Sequence, residues 1–470
     1  MTVNPATPAF ADILTAALSA DILTDATPNY LEEPRGRFQG QAAFVARPRD
    51  VQQVATIMSL CNEHRIGIVP YAGGTGLVSG QIMTDGPMPI LLSLERMNKV
   101  RDVDASDNIM IAEAGVILAN VQAAAEKVNR LFPLSLASEG SCQIGGNLST
   151  NAGGVNVLRY GNTRDLCLGI EAVLPDGTIV SGLERLRKNN TGYDIRNLLI
   201  GAEGTLGIIT AASLKLYPRP AEVETAFIAV PSPTAALDLL NFLRDALGEV
   251  ISAFELIDRQ GMDFLDETNV AYTDPLADRN AWQVLCECGA PADSGLRERV
   301  ENALAAAMEK GLVTDAALAQ NAAQRTAFWN IRENIPVGNK HVGSISSHDI
   351  AVPVSRVPEF IEKGRGVIAA LDPNLRINSF GHLGDGNLHY NVFPPKGRNR
   401  DDFDNIRGDV KTAVHDLVAD FGGSFSAEHG VGRMKKSDLQ KYGDAGKLTA
   451  MRAIKTALDP NGIMNPGAIL

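Results

Sequence analysis

An α+β fold of more than one domain is what this sequence predicts, on three observations. The chain is 470 residues long, more than one ordinary hydrophobic core serves. Its first half interleaves β-type apolar runs with glycine-rich loops at 71–80, 140–154 and 201–207. Beyond the proline-stiffened stretch Tyr217-Pro-Arg-Pro-Ala-Glu the order becomes strand, helix, strand, strand, helix, which suggests an antiparallel sheet with helices packed on one face.

In the first half, the stretch to Leu31 is short and amphipathic or irregular. Val51, Val54, Met58 and Cys61 then carry the spacing of an amphipathic helix, with Asp50 as its N-cap. Gly67-Ile-Val-Pro and Pro89-Ile-Leu-Leu-Ser-Leu read as buried strands on either side of Tyr71-Ala-Gly-Gly-Thr-Gly-Leu-Val-Ser-Gly80. That loop superficially matches a dinucleotide fingerprint, which requires G-x-G-x-x-G opening a helix. Gly74, Gly76 and Gly80 are spaced one residue too far and an extended segment follows, so a nicotinamide cofactor is excluded. The other two loops are poor in large side chains, and such loops let backbone N–H groups approach an anion closely. Three of them, interleaved with runs such as Gly169-Ile-Glu-Ala-Val-Leu, point to a large, extended, phosphate-bearing cofactor.

In the second half, Thr225–Val230, Val250–Ile257 and Trp282–Cys288 read as strands. Leu237, Leu240, Leu243 and Leu247 mark one helix, and Val300, Leu304 and Met308 another. Cys286 and Cys288 alternate onto one strand face, where packing explains them. Ile406, Val410, Val414, Leu417 and Phe421 form the apolar side of a further helix, on which His415 is expected to be a solvated bystander. The chain ends in the turn-rich Leu458-Asp-Pro-Asn-Gly-Ile-Met-Asn-Pro-Gly.

A net charge of −12 leaves no basic tract to replace phosphate counterions, so a nucleic-acid partner is excluded and a small-molecule partner expected. No apolar run approaches the roughly 20 residues of a transmembrane helix, and five scattered cysteines without a C-x-x-C pair suit a reducing compartment. A cytoplasmic location is expected.

The most chemically loaded strings are Ser379-Phe-Gly-His-Leu-Gly-Asp-Gly-Asn-Leu-His-Tyr-Asn391 and Ser426-Ala-Glu-His-Gly-Val-Gly432. Two imidazoles, His382 and His389, with the carboxylate of Glu428 make a divalent-metal site with an open position. Asn387, Asn391 and His429 would surround whatever fills that position, while Asp385 serves the glycine turn. Zinc, manganese, iron or cobalt would suit these ligands. Two histidines and a glutamate also activate water, so a zinc hydrolase is an alternative of another class.

The loop Tyr-Ala-Gly-Gly-Thr-Gly, the string Gly-Gly-Asn-Leu-Ser-Thr-Asn-Ala-Gly-Gly, the string Gly-Ala-Glu-Gly-Thr-Leu-Gly and the tail Asp-Pro-Asn-Gly-Ile-Met-Asn-Pro-Gly resemble the vanillyl-alcohol-oxidase-type flavoproteins. More narrowly, Gly-His-Leu-Gly-Asp-Gly-Asn-Leu-His with Ala-Glu-His-Gly-Val-Gly resembles the D-2-hydroxyacid dehydrogenase branch, which includes D-lactate and D-2-hydroxyglutarate dehydrogenases and the flavin subunit of glycolate oxidase. The resemblance covers residues 38–470. It implies an N-terminal segment (1–37), a two-lobed FAD-binding domain (38–217), an α+β cap domain with an antiparallel sheet that binds substrate and metal (218–458), and a tail (459–470) returning to the FAD site.

On the same resemblance the FAD pyrophosphate lies over Gly73, Gly74, Thr75 and Gly76. Further FAD contacts come from Leu77, Gly80, Ser138, Gly145, Gly146, Asn147, Asn151, Gly153, Gly154, Glu203, Gly207, Ile208 and Asn465. The first loop contains no histidine or cysteine, so the FAD is expected to be non-covalent. The implied reaction is oxidation of a D-2-hydroxy acid to the 2-oxo acid, with hydride passing to flavin, the hydroxyl polarised by the metal and its proton taken by His429. Asn391 orients the substrate and Arg332 grips a carboxylate. Electrons would leave to a quinone, a cytochrome or an electron-transfer flavoprotein, and a homodimer is expected. The alternatives are an FAD subunit of a glycolate oxidase complex and a flavin-binding protein without catalysis. The sequence departs from relatives specific for 2-hydroxyglutarate at Pro336 and Ser347, where a threonine and a lysine are expected. Lys340 and His348 are candidates to replace the missing cation.

Overall fold

A computed structural model describes residues 3–470 and divides the chain into two compact units. One comprises the chain up to Gly154, Gly161–Arg219 and Glu428–Leu470. The other comprises Val155–Tyr160 and Pro220–Ala427.

The first unit holds two sheets. The strands Leu23–Thr24, Val45–Ala46, Ile90–Ser93 and Ile68–Tyr71 form one, in that order, with the last two pairs of neighbours parallel. The helix Val51–His64 packs on it through Val54, Ile57, Met58 and Cys61. Asp50 caps this helix by accepting from the Gln53 amide, and Arg65 ends it at a φ of 55°. The segment between the parallel strands Ile68–Tyr71 and Ile90–Ser93 is loop, not helix, as the glycine spacing predicts. The second sheet is antiparallel: Val100–Asp104, Ile109–Glu113, Ile208–Lys215, Cys167–Val173, Ile179–Gly182.

Residues 428–458, grouped with the second domain on sequence, cluster with the first unit. Glu203 accepts from the amides of Val431 and Gly432, both at 2.7 Å. Arg433 donates to the carbonyls of Ser79 and Gly80 and to Asn465 Oδ1. These bonds give the segment its partners.

The second unit is built on one seven-stranded antiparallel sheet in the order Asp315–Leu318, Glu222–Val230, Trp282–Ala290, Ile251–Asp258, Arg376–His382, Asn387–Phe393, Ser346–Ala351. Helices cover both faces rather than the single face expected. On one face Ile228, Phe254, Leu256, Val284, Cys286 and Cys288 pack with Leu239, Leu240 and Leu243 of the helix Pro233–Leu247 and with Val410 and Val414 of Arg407–Asp420. On the other, Phe227, Ile257, Leu285 and Phe380 pack with Phe328, Ile331 and Ile335 of Ala322–Val342. Runs such as Ala226-Phe-Ile-Ala-Val230 are apolar at consecutive positions, the pattern of a strand buried on both sides. Met308 is 40% exposed, since the helix Leu296–Glu309 buries Ala307 instead.

Candidate active site

Period-two alternation in Asn387–Phe393 sends Leu388, Tyr390 and Val392 into the first apolar core and so sets Asn387, His389 and Asn391 on the opposite face. Phe380 is opposite His389 in register, and Glu255 is opposite His382. Asp349 is opposite His389 on its other side. Three adjacent strand pairs therefore gather Glu255, His382, His389 and Asp349 on one face. Between the two histidines the chain turns within Leu383–Asp385 and then Gly386, whose φ is 83° and where an added Cβ would meet the Val352 carbonyl at 2.1 Å. Asp385 serves this turn by accepting from the Asn387 amide at 3.0 Å.

Glu255 organises the group. Its Oε1 lies 2.6 Å from His382 Nδ1 and its Oε2 accepts from Arg332 Nε at 2.8 Å. Burial pushes the Glu255 carboxyl up, but the charges of His382 and Arg332 and their hydrogen bonds outweigh it and hold the group at about 2. A carboxylate on one imidazole nitrogen fixes tautomer and ring orientation and presents the other nitrogen as a ligand atom. The ring centroids of His382 and His389 are 5.6 Å apart. Glu255 was absent from the sequence candidates. Its signal is a lone carboxylate in the otherwise apolar or small Ile251-Ser-Ala-Phe-Glu-Leu-Ile, because a charge buried in a strand needs a partner.

Arg332 is buried, with its guanidinium carbon 4.9 Å from the centre of the Phe380 ring. Among the described residues its Nη groups make no hydrogen bond, while Nε is held by Glu255. Asn391 Oδ1 accepts from the His348 amide at 3.2 Å, and Asn387 Nδ2 donates to Asp349 Oδ1 at 3.0 Å. Glu428 and His429 follow Ala427, whose amide donates to the Asp349 carbonyl at 3.3 Å.

Two expectations about histidines and cations are corrected. His415 is not solvated: it is buried, with its Nε2 3.2 Å from His348 Nδ1. His348 is opposite Tyr390 in register and shares its face, so it cannot supply the missing cation on the face that bears His389. Ser347 bonds Ser344 at 2.6 Å, Pro336 lies inside the helix Ala322–Val342, and Lys340 is exposed.

In the first unit the glycine loops form a close-packed cradle. A Cβ on Gly73 would meet the Ser141 carbonyl at 2.4 Å, and one on Gly74 the Tyr71 hydroxyl at 2.3 Å; both residues have positive φ. Gly76 packs on Gln81, which bonds its carbonyl at 2.8 Å. Gly145, Gly146 and Asn147 lie in the short helix Ile144–Thr150, ended by Asn151 at a φ of 51°. Gln143 Oε1 and Asn147 Oδ1 are buried with no hydrogen-bond partner among the described residues, as acceptors awaiting a donor-bearing ligand would be. Ser138 takes the amides of Ser141 and Cys142 on its carbonyl. A Cβ on Gly154 would meet the Ser135 carbonyl at 2.0 Å, Gly207 packs on Val173, and Ile208 opens its strand. Leu77, Gly153 and Thr75 lie in the loops themselves.

The structure gives other work to two residues expected to touch FAD. Glu203, at a φ of 49°, spends its carboxylate on Val431 and Gly432, and burial pushes its carboxyl above the usual range despite those bonds. Asn465 donates to the carbonyls of Gly80 and Glu203 and accepts from Arg433. Both tie the loops to the returning C-terminal segment.

Comparison with known proteins decides the family. Residues 42–182 match the family described as FAD binding domain, and residues 219–469 match FAD linked oxidases, C-terminal domain. The D-2-hydroxyglutarate dehydrogenase of Stutzerimonas stutzeri is 34% identical over 454 residues, spanning 95% of this chain and 96% of that protein. The chain belongs to the FAD-linked D-2-hydroxyacid dehydrogenases. The mitochondrial D-2-hydroxyglutarate dehydrogenase of Arabidopsis thaliana is 35% identical, spanning 92% of this chain and 76% of that protein. The solved structure of p-cresol methylhydroxylase superposes with a TM-score of 0.76 at 16% identity, covering 99% of this chain and 98% of that one, which shows the shared fold. As a member of this family the chain is an FAD-dependent oxidoreductase acting on a CH–OH group, which removes the zinc-hydrolase and non-catalytic readings. No helix among the described residues is long and apolar enough to cross a membrane.

Proposed function

We propose that this dehydrogenase oxidises a D-2-hydroxy acid of the D-lactate or D-2-hydroxyglutarate class to the 2-oxo acid, using non-covalent FAD and a divalent metal held by His382, His389 and Glu428. The observation that carries this reading is the Glu255 carboxylate set on His382 Nδ1, on the sheet face that also bears His389. A carboxylate behind a histidine is the usual support of a metal-ligating imidazole. Zinc heads the candidate metals, with manganese, iron and cobalt as the others.

Arg332, anchored through Nε by Glu255, binds the substrate carboxylate with its Nη groups. Asn391 orients the substrate, and His429 takes the hydroxyl proton on an imidazole nitrogen. A metal on the His–His–Glu set would supply Lewis acidity, lowering the hydroxyl pKa. FAD, when bound, supplies the hydride acceptor. The physiological acceptor in this reading is a quinone, cytochrome or electron-transfer flavoprotein. A homodimer and a cytoplasmic location complete the proposal; five free cysteines, all buried, suit a reducing compartment, whereas the Arabidopsis relative is named as mitochondrial.

The test is anaerobic. The flavin band of metal-replete protein is followed on adding D- and L-lactate, D- and L-2-hydroxyglutarate and glycolate separately. Bleaching by a D-acid, lost on chelation and restored by metal, is the expected result. Bleaching that survives complete metal removal would overturn the metal, and bleaching by L-acids alone would overturn the stereochemistry.

A further inference from the structure

The second unit contains a cavity of about 630 Å³, lined among others by Arg259, Arg279, Arg365, Arg376, Asp258, Asp263 and Trp282. That volume is in the range of small-molecule sites, roughly 300–1,000 Å³. It lies where the strand Arg376–His382 begins, whereas His382 ends that strand. In the strand Ile251–Asp258, Phe254 and Leu256 face the first apolar core, and Asp258 shares their alternation, whereas Glu255 does not. Trp282 belongs to that same core.

The four arginines differ in what they have left to offer. Arg259 is committed to Asp263 and Asp274, at 3.0 and 2.9 Å. Arg376 is committed to the Pro394 carbonyl at 2.7 Å and to Glu267 at 2.6 Å. Arg279 and Arg365 each spend a single Nη2, on Asp263 and on Asp258 respectively. Their side chains are 63% and 51% exposed, and among the described residues Nε and Nη1 of each make no hydrogen bond. A guanidinium with an open Nε and Nη edge is a ready fork for a carboxylate. Arg365 also lies 5.3 Å from the centre of the Trp282 ring, so a ligand that moves it alters the environment of that indole.

We propose that this cavity is a second ligand site, binding a small linear dicarboxylate with one carboxylate on Arg279 and the other on Arg365. Two open forks on one cavity match two carboxylates. A monocarboxylate fills only one.

The test uses the FAD-loaded protein at constant ionic strength, titrated with succinate or glutarate, with acetate and inorganic phosphate as comparators, and followed by tryptophan fluorescence. A saturable change is expected, at least tenfold tighter for the dicarboxylates than for acetate or phosphate, absent in Trp282→Phe, and weakened tenfold or more in Arg279→Gln. Arg365→Gln leaves Asp258 buried without its partner and is exposed to misfolding, so Arg279→Gln, on an exposed side chain, decides. Affinity unchanged in Arg279→Gln, equal binding of phosphate, or no saturable change would each overturn the proposal. Loss of titration on adding the 2-hydroxy acid substrate, with Arg279→Gln unaffected, would assign the binding to the catalytic site instead.

Discussion

Glu255 Oε1 lies 2.6 Å from His382 Nδ1, across neighbouring antiparallel strands in which the two residues are register partners. The same carboxylate holds Arg332 through its other oxygen. One buried acid thus fixes both a proposed metal ligand and the proposed carboxylate receptor, and any loosening of it is felt at two points of the reaction.

Replacing Glu255 by Gln removes the charge while keeping the shape. Arg332 then lies buried without its counter-charge, and breaking such a pair costs on the order of 3–5 kcal/mol. Metal retention should fall about 10- to 100-fold, as for other lost supports of a ligating histidine. Equilibrium dialysis against a graded chelator and urea unfolding measure the two effects separately. Metal retention equal to the native protein would remove Glu255 from the site.

Arg332→Lys keeps a positive charge but loses the planar fork and the Nε donor. The Michaelis constant for the 2-hydroxy acid should rise by about tenfold or more, the scale of a lost charge-assisted hydrogen bond, with kcat falling less. Steady-state kinetics with an artificial dye acceptor read this directly. Unchanged kinetics would leave Arg332 a structural partner of Glu255 alone.

Glu203 is a test of the loop architecture. Its carboxylate is the acceptor for the amides of Val431 and Gly432, so Glu203→Ala strands two part-buried donors, a loss of about 1–3 kcal/mol each. The urea midpoint should fall and FAD should dissociate more readily. A variant with native stability would show that water replaces the carboxylate without loss.

The turn between His382 and His389 was legible because residue type and local spacing carry the signal: Asp385 and Gly386 set it between two strands. The helix Val51–His64 was legible for the same reason, with Asp50 as its cap. What remained hidden depended on pairing between distant strands. Glu255 lies 127 residues from His382, and nothing local says which strand will be its neighbour. His415 is buried because a helix facing inward through Val410, Val414 and Val418 also carries its neighbour at 415 inward, where His348 supplies the polar contact. Glu203 and Asn465 lie in strings rich in glycine that suggest ligand contact, whereas Glu203 is bonded by Val431 and Gly432 and Asn465 bonds the Glu203 carbonyl, partners more than 200 residues away.

Non-covalent attachment of FAD is the expectation these loops carry. The segment 71–80 contains no histidine or cysteine, and burial raises the Cys142 thiol, which disfavours its reactive thiolate. Acid precipitation of the purified protein should leave all the yellow colour in the supernatant. Colour retained in the pellet would point to a covalent link.

Asp258 makes a prediction about pH. Burial pushes its carboxyl from the ordinary 3.8 up to about 6, against the opposing charge of Arg365. The folded state therefore holds this proton more tightly than the unfolded chain does. The resulting stabilisation is fully present below about 3.8 and is lost as pH rises through about 6. This one group makes folding less favourable at pH 7 than at pH 4, opposite in sign to a salt-bridged acid of depressed pKa. Asp258→Asn, which keeps an oxygen to accept from the Gln260 amide, removes the titration. Urea midpoints of native and variant proteins measured at pH 4, 5, 6 and 7 should therefore diverge across that window, with the native curve falling relative to the variant as pH rises. Parallel curves would mean that Arg365 holds Asp258 ionised throughout and that its burial costs the fold nothing that protons can recover.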